Sequence, residues 1–248
     1  MQATVPGGAP LSSLTMTTAR PELTGVAGVP ETTLTDDHLA GLPATSAPAP
    51  WTARCQAVLW LGRGGGPATA ALPPSMRPTA RALGVAGAFV RYLDTPVGAY
   101  DEVLGLVAAR SGRTAWGTVT FMAVDSPTSL VGGRVNWAMP KTFADFSGDP
   151  ASAGPVSATS VDGPTWRVEA HARPFGPSLP VRIRSTARQV FPDGRTGTSR
   201  LTGRGRVRLA RVQVTAGSDG PLPTWLRPGR HLGAVVESAT FDLAAPTW

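Results

Sequence analysis

Glycine and proline interrupt this chain so often that long helices are excluded. There are 29 Gly and 25 Pro in 248 residues, and the apolar runs between them are short. Such runs, rich in β-branched and aromatic residues and bounded by turn formers, read as strands. They fall at residues 53–61, 84–93, 100–109, 117–124, 157–161, 166–173, 181–190, 198–201, 207–214 and 235–243. Asp162-Gly163 and Asp193-Gly194 supply hairpin-turn chemistry. Short helical turns are predicted at 37–42, after Thr35, at 67–72 and at 141–146. Residues 126–133 read as a loop and 135–139 as extended chain, because Pro140 disfavours helix before it. Turn signals roughly every 8–12 residues predict a mainly β protein, an antiparallel β-barrel with a few short helices.

Apolar residues make up 42% of the chain, enough to bury a sizeable core. Residues 1–50, rich in Ala, Pro, Thr and Ser, read as a loose N-terminal arm whose first twenty or so residues are mobile. Residues 51–248 read as one domain. No apolar stretch approaches the ~20 residues that span a bilayer, and the N-terminus lacks the pattern of a signal peptide. The lone Cys55 cannot form an intramolecular disulfide. These features fit a cytoplasmic location.

Among 23 basic residues only Lys141 is a lysine. The Ala/Gly/Pro/Arg bias suggests a background in which Arg replaces Lys wherever either serves. An exposed charge tolerates that exchange. Amine chemistry does not, since a guanidinium stays protonated and is no useful nucleophile. Lys141 is therefore the first candidate for a catalytic group.

Its surroundings, residues 131–146, read VGGRVNWAMPKTFADF. This segment resembles the active-site segment of the acetoacetate decarboxylase-like superfamily, in which Gly-Arg-Glu and four further residues precede Pro-Lys. Gly133, Arg134, Pro140 and Lys141 match with the same spacing. Residues 98–102 (GAYDE) resemble the family's Gly-x-Tyr-x-Glu, and residues 229–241 are similar in character to its C-terminal His-containing strand. The resemblance implies a β-barrel with the Lys141 amine inside an apolar cavity. It implies a Schiff-base lyase acting on a keto acid, by decarboxylation or by related aldol or dehydration chemistry. Such an amine has to be neutral near pH 7, and burial lowers a lysine below its usual ~10.4. Glu102 is the candidate acid/base or orienting group. Arg134 is a candidate to hold a backbone carbonyl near the site or a substrate carboxylate, Arg63 is a candidate for carboxylate placement, and Tyr100, Asn136, Trp137 and Met139 are candidates for the cavity lining. No metal or organic cofactor is implied, and family members often form homo-oligomers.

The departures are specific. Thr142 stands where the decarboxylase has a second lysine, Val135 where the family often has Glu, and Met139 where the decarboxylase has Tyr. Residues 88–90, where a second carboxylate falls, contain no acid. They point away from acetoacetate itself and keep open a non-catalytic, ligand-binding barrel on the same scaffold. An exposed, salt-bridged Lys141 supports the binder and a buried one the enzyme. His38, His171 and His231 lack metal-ligand spacing and read as structural. The Arg-rich hairpin 182–211 and the net charge of +7 raise a third reading, a nucleic-acid-binding module. No aromatic residues interleave those arginines, so a solvated face is the simpler reading, and a surface that draws an acidic substrate the next.

Overall fold

The computed structural model describes residues 20–152 and 154–248. The start of the arm expected to be mobile lies outside them. Five short helices are described: α1 Pro21–Thr24, α2 Asp36–Ala40, α3 Gly66–Ala70, α4 Pro127–Trp137 and α5 Leu222–Leu226. Nine strands are described: β1 Trp51–Arg63, β2 Arg81–Asp94, β3 Tyr100–Ser111, β4 Thr114–Val124, β5 Lys141–Ser147, β6 Pro155–Ser160, β7 Trp166–Val190, β8 Thr196–Ser218 and β9 Gly229–Leu243. They neighbour one another in sequence order, and β9 also hydrogen-bonds to β1.

The antiparallel β-barrel expected from the turn spacing is corrected here, because the sheet is mixed. After β4 the chain crosses through α4, and β5 pairs parallel to β4 at Met122–Lys141, Ala123–Thr142 and Val124–Phe143. A second parallel contact joins β4 to β7 at Gly117–Ala187. β7 and β8 are single long strands of 25 and 23 residues, each of which the sequence divides in two. Pro174, Pro177 and Pro180 caused the division of β7. They are tolerated because the far edge of β7 pairs with β6 only as far as His171 and with β4 only at Ala187, so the missing N–H groups face no partner strand. The register shifts between Phe175 and Leu179, around Gly176 at φ 70°.

The larger correction falls around Lys141. Residues 127–137 form α4, not a loop followed by extended chain, and 141–147 form β5, not a helical turn. Ser126 caps α4 by accepting from the Ser129 N–H at 3.2 Å, and Pro127 sits in its first turn. Gly132 and Gly133 lower the helix propensity of this segment, yet packing requires them. A Cβ on Gly132 would lie 2.5 Å from the Trp51 ring, and one on Gly133 2.5 Å from Lys141 Cε. Ala138, at φ 50°, ends the helix and turns the chain into β5.

Residues 20–50 carry buried groups onto the sheet, with Leu23 and Glu31 at 0% and 1% exposure. Arg134 of α4 ties them down. Its Nε donates to the Lys141 carbonyl at 2.6 Å, Nη2 to the Thr32 carbonyl at 2.6 Å and Nη1 to the Leu23 carbonyl. One guanidinium thus holds α4, β5 and the N-terminal segment together. The core has two main parts. One gathers Trp60, Phe89, Phe121, Trp166 and Trp225. The other gathers Ala53, Cys55, Tyr92, Tyr100, Leu130 and Val236 around the site. Among the described residues no helix is long and apolar enough to cross a membrane.

Arg134→Ala leaves three carbonyls without their donor, at about 1–3 kcal/mol for each buried group left unpaired. The expected result is a loss of about 3 kcal/mol or more, read as a lower urea midpoint at unchanged slope. Arg134→Lys recovers only part of it, because an ammonium cannot reproduce the planar fork.

Candidate active site

Lys141 is the first residue of β5, and Glu102 lies on β3 two strands away. The pair is buried, with side-chain exposures of 3% and 2%, and Lys141 Nζ lies 2.9 Å from Glu102 Oε2. The register explains the meeting. Lys141 pairs with Met122, and Met122 with Leu104. Glu102 lies two residues from Leu104 on the same strand, hence on the same face. Lys141 Nζ also donates to Ser129 Oγ of α4 at 2.8 Å and lies 5.1 Å from the Tyr100 ring centroid. Tyr92 donates its hydroxyl to Glu102 Oε1 at 3.1 Å. The Tyr92 and Tyr100 rings stack with centroids 4.4 Å apart.

These groups sit at one end of a cavity of about 480 Å3 whose wall includes Trp51, Leu104, Met122, Trp137, Met139 and Phe241. Burial pulls the Lys141 ammonium down, but the Glu102 carboxylate and then Tyr100 more than offset it, so its pKa is held above the ordinary lysine value. Lys141 is buried as expected, but burial does not make it neutral: at rest this amine is protonated at neutral pH. Lys141 is also both buried and salt-bridged, which combines the two alternatives set for enzyme and binder. Burial raises Tyr100, with Glu102 adding to the rise and Lys141 opposing it. Burial, then Glu102, pushes the Cys55 thiol up to about 12, so it stays protonated. Burial alone lowers Arg134 to about 9, which leaves it charged at neutral pH.

Of the residues picked from the sequence, Lys141, Glu102, Tyr100, Trp137 and Met139 all line this cavity. Arg134 points instead into the backbone clamp described above. Asn136 donates to the Ala47 carbonyl at 2.9 Å and is not part of the lining. Arg63 is exposed at the end of β1 and does not reach the cavity. Two groups were missed. Tyr92 lies directly opposite Tyr100 in the β2–β3 register, which a hairpin pairing drawn through Asp94–Gly98 would have found. Ser129 reaches Lys141 only because 127–137 is helical, and no local pattern signalled that. His38 caps α2 and bonds to the Val161 carbonyl at 2.7 Å. His231 bonds to the Arg227 carbonyl at 2.6 Å. On the Arg-rich hairpin, Arg182 and Arg204 are exposed cross-strand partners.

A family model described as acetoacetate decarboxylase matches residues 66–175. That match is a distant resemblance to acetoacetate decarboxylase over less than half of the chain. The fold is shared with the enduracididine biosynthesis enzyme MppR, solved with pyruvate, at a TM-score of 0.59 and 18% identity over 84% of this chain and 93% of that one. MppR was also solved with the condensation product of pyruvate and imidazole 4-carboxaldehyde, at a TM-score of 0.57, 18% identity and 84% and 92% coverage. An acetoacetate decarboxylase-like enzyme from Sphingomonas wittichii RW1 aligns at a TM-score of 0.56 and 16% identity over 86% and 96%. No curated protein sequence matches this chain.

Because the Glu102 carboxylate holds the Lys141 proton in place, Glu102→Gln should release it. The wild-type amine is expected to react with an acylating or arylating reagent only above the ordinary lysine range. In Glu102→Gln, where burial dominates, the midpoint is expected to fall below the ordinary lysine value of ~10.4. The check is the pH dependence of modification, mapped to Lys141 by peptide mass.

Proposed function

We propose that this protein is a Schiff-base-forming carbon–carbon lyase acting on a keto acid through Lys141. One observation carries the reading: the only lysine of the chain lies buried at the end of an apolar cavity, 2.9 Å from the Glu102 carboxylate. The distant resemblance to acetoacetate decarboxylase and the fold shared with a pyruvate-bound enzyme support the carbonyl class of the substrate.

In this reading Glu102 takes the proton from the ammonium, giving a neutral amine beside a neutral acid. That exchange is favoured as substrate displaces water from the cavity. Nζ attacks the ketone carbon, and the carbonyl electron pair moves to oxygen, which takes the amine proton. Glu102 returns its proton as that oxygen leaves as water, and an iminium forms on Lys141. In a 3-keto acid the carboxylate sits on the carbon beside the iminium carbon, so when its bond breaks the electron pair flows to the cationic nitrogen, carbon dioxide departs, and an enamine remains. Protonation at carbon and hydrolysis restore the amine. With an aldehyde present, the same enamine forms a carbon–carbon bond instead. Neither Arg134 nor Arg63 reaches the cavity, and Arg184 lines it only beside Ser185 at the outer end, so the substrate carboxylate pairs with the iminium itself. Its burial against an apolar wall is costly and is relieved as neutral carbon dioxide leaves. Tyr92 and Ser129 act as positioning residues, one on Glu102 and the other on the amine.

A second reading is a non-catalytic binding protein. The closed ion pair, which holds the amine protonated, and Thr142 in place of a second lysine favour it. Borohydride trapping with a panel of keto acids separates the two. The expected result is an adduct on Lys141, found by peptide mass, that is lost in Lys141→Ala and accompanied by carbon dioxide release or aldol product without borohydride. An adduct without product supports the binder. No adduct with any keto acid, in folded protein, sinks the imine reading.

A further inference from the structure

The cavity is much larger than the reaction just described requires. Small keto acids occupy only the end around Lys141, yet the space extends along one face of β3 and β4. On β3 its wall is Glu102, Leu104, Leu106 and Ala108, alternate residues on a single strand face. From Glu102 to Ala108 the strand rises about 20 Å. On β4 the partners of Leu104, Leu106 and Ala108 are Met122, Val119 and Gly117. The register shift between Gly105 and Leu106 takes up Thr120 as an extra residue, which keeps Met122 and Val119 on the same face.

The two ends differ in chemistry. The inner end holds the ion pair under buried Trp51, Tyr92, Tyr100 and Trp137. The wall leading outward is apolar. The polar Thr118 beside it is already committed, donating to Gln189 Oε1 at 2.7 Å. At the outer end small side chains, Ala108, Ala115, Gly117 and Ala187, stand beside Trp116, and Ala115, Arg184 and Ser185 are exposed at the mouth. The passage therefore has a closed reactive end and an open outer end, with an apolar stretch between them that needs no polar partner.

We propose that the substrate carries an extended apolar chain, its carbonyl at Lys141 and its tail running along the β3–β4 face towards Ala115 and Ser185. By the rise of β3, such a chain has roughly a dozen to sixteen carbons. The proposal rests on the Lys141 reading for the position of the carbonyl, but the passage itself does not. A volume of about 480 Å3 falls within the ~300–1,000 Å3 of ligand pockets that enclose most of their ligand. Burying each further methylene supplies binding free energy remote from the reacting carbon, which can be used to desolvate and orient it.

The test uses unreactive 2-alkanols, which cannot form an imine, from about four to about sixteen carbons, with binding measured calorimetrically on the full chain. Affinity is expected to rise about fourfold per methylene and to level off at roughly fourteen carbons. Gly117→Leu places a side chain in the outer passage. Its Cβ meets only ordinary contacts, Leu106 Cδ1 at 3.7 Å and the Thr186 carbonyl oxygen at 4.0 Å. In that variant the gain is expected to stop at roughly ten carbons, with short alkanols binding as before. Affinity independent of chain length, or a plateau unmoved in Gly117→Leu, overturns the proposal. If that variant does not fold, the wild-type series decides alone. Borohydride adducts of the matching keto acids keep the two ideas apart. An adduct without chain-length dependence sinks only the apolar tail, and chain-length dependence without an adduct sinks only the imine.

Discussion

One ammonium and one carboxylate lie together, both buried, at the closed end of a largely apolar cavity. Separately, each would be too costly to bury. Paired at 2.9 Å, and held by Ser129 on one side and Tyr92 on the other, they are tolerated. Such a pair is a poor source of stability, because desolvation consumes most of its attraction, and losing one partner costs about 3–5 kcal/mol. Its significance is chemical. In the proposed reaction the carboxylate that holds the proton on Lys141 is also the group that takes it up, and no strand has to move for that transfer.

Much of the surrounding structure serves to bring that amine to that carboxylate. β5 approaches β4 in parallel, so Lys141 arrives beside Met122 and one strand further from Glu102. α4 makes the crossover and presents Ser129. The Arg134 guanidinium then ties the end of α4 to β5 through the Lys141 carbonyl and to the N-terminal segment through the Leu23 and Thr32 carbonyls. A buried guanidinium without a carboxylate partner is an expensive clamp. Its reward is geometric, since the Lys141 backbone cannot shift without breaking the hydrogen bond from Arg134.

The strands were the most readable part of the molecule, because period-two apolar patterning and Asp-Gly turns act within a few residues. β1 to β4 fall where the runs at 53–61, 84–93, 100–109 and 117–124 place them. The helix α4 was not readable for an equally local reason. Gly132-Gly133 disfavours helix in isolation, while its benefit, the close approach to Trp51 and the Lys141 stem, exists only in the folded chain. The motif spacing left Arg134 open as a ligand for a substrate carboxylate or for a backbone carbonyl near the site, and the fold takes the second, because spacing does not say which way a side chain points.

The sequence by itself determined the chemistry available. It held one amine that Arg could not replace, one nearby acidic motif in Glu102, and enough apolar surface to bury both. Only the tertiary structure decided how they meet: a mixed rather than antiparallel sheet, a parallel β4–β5 junction, and an ion pair in which the carboxylate outweighs burial and keeps Lys141 protonated. The physical reason is that residue type sets what a group can do, whereas its charge state and its partners depend on distances between strands far apart in the chain.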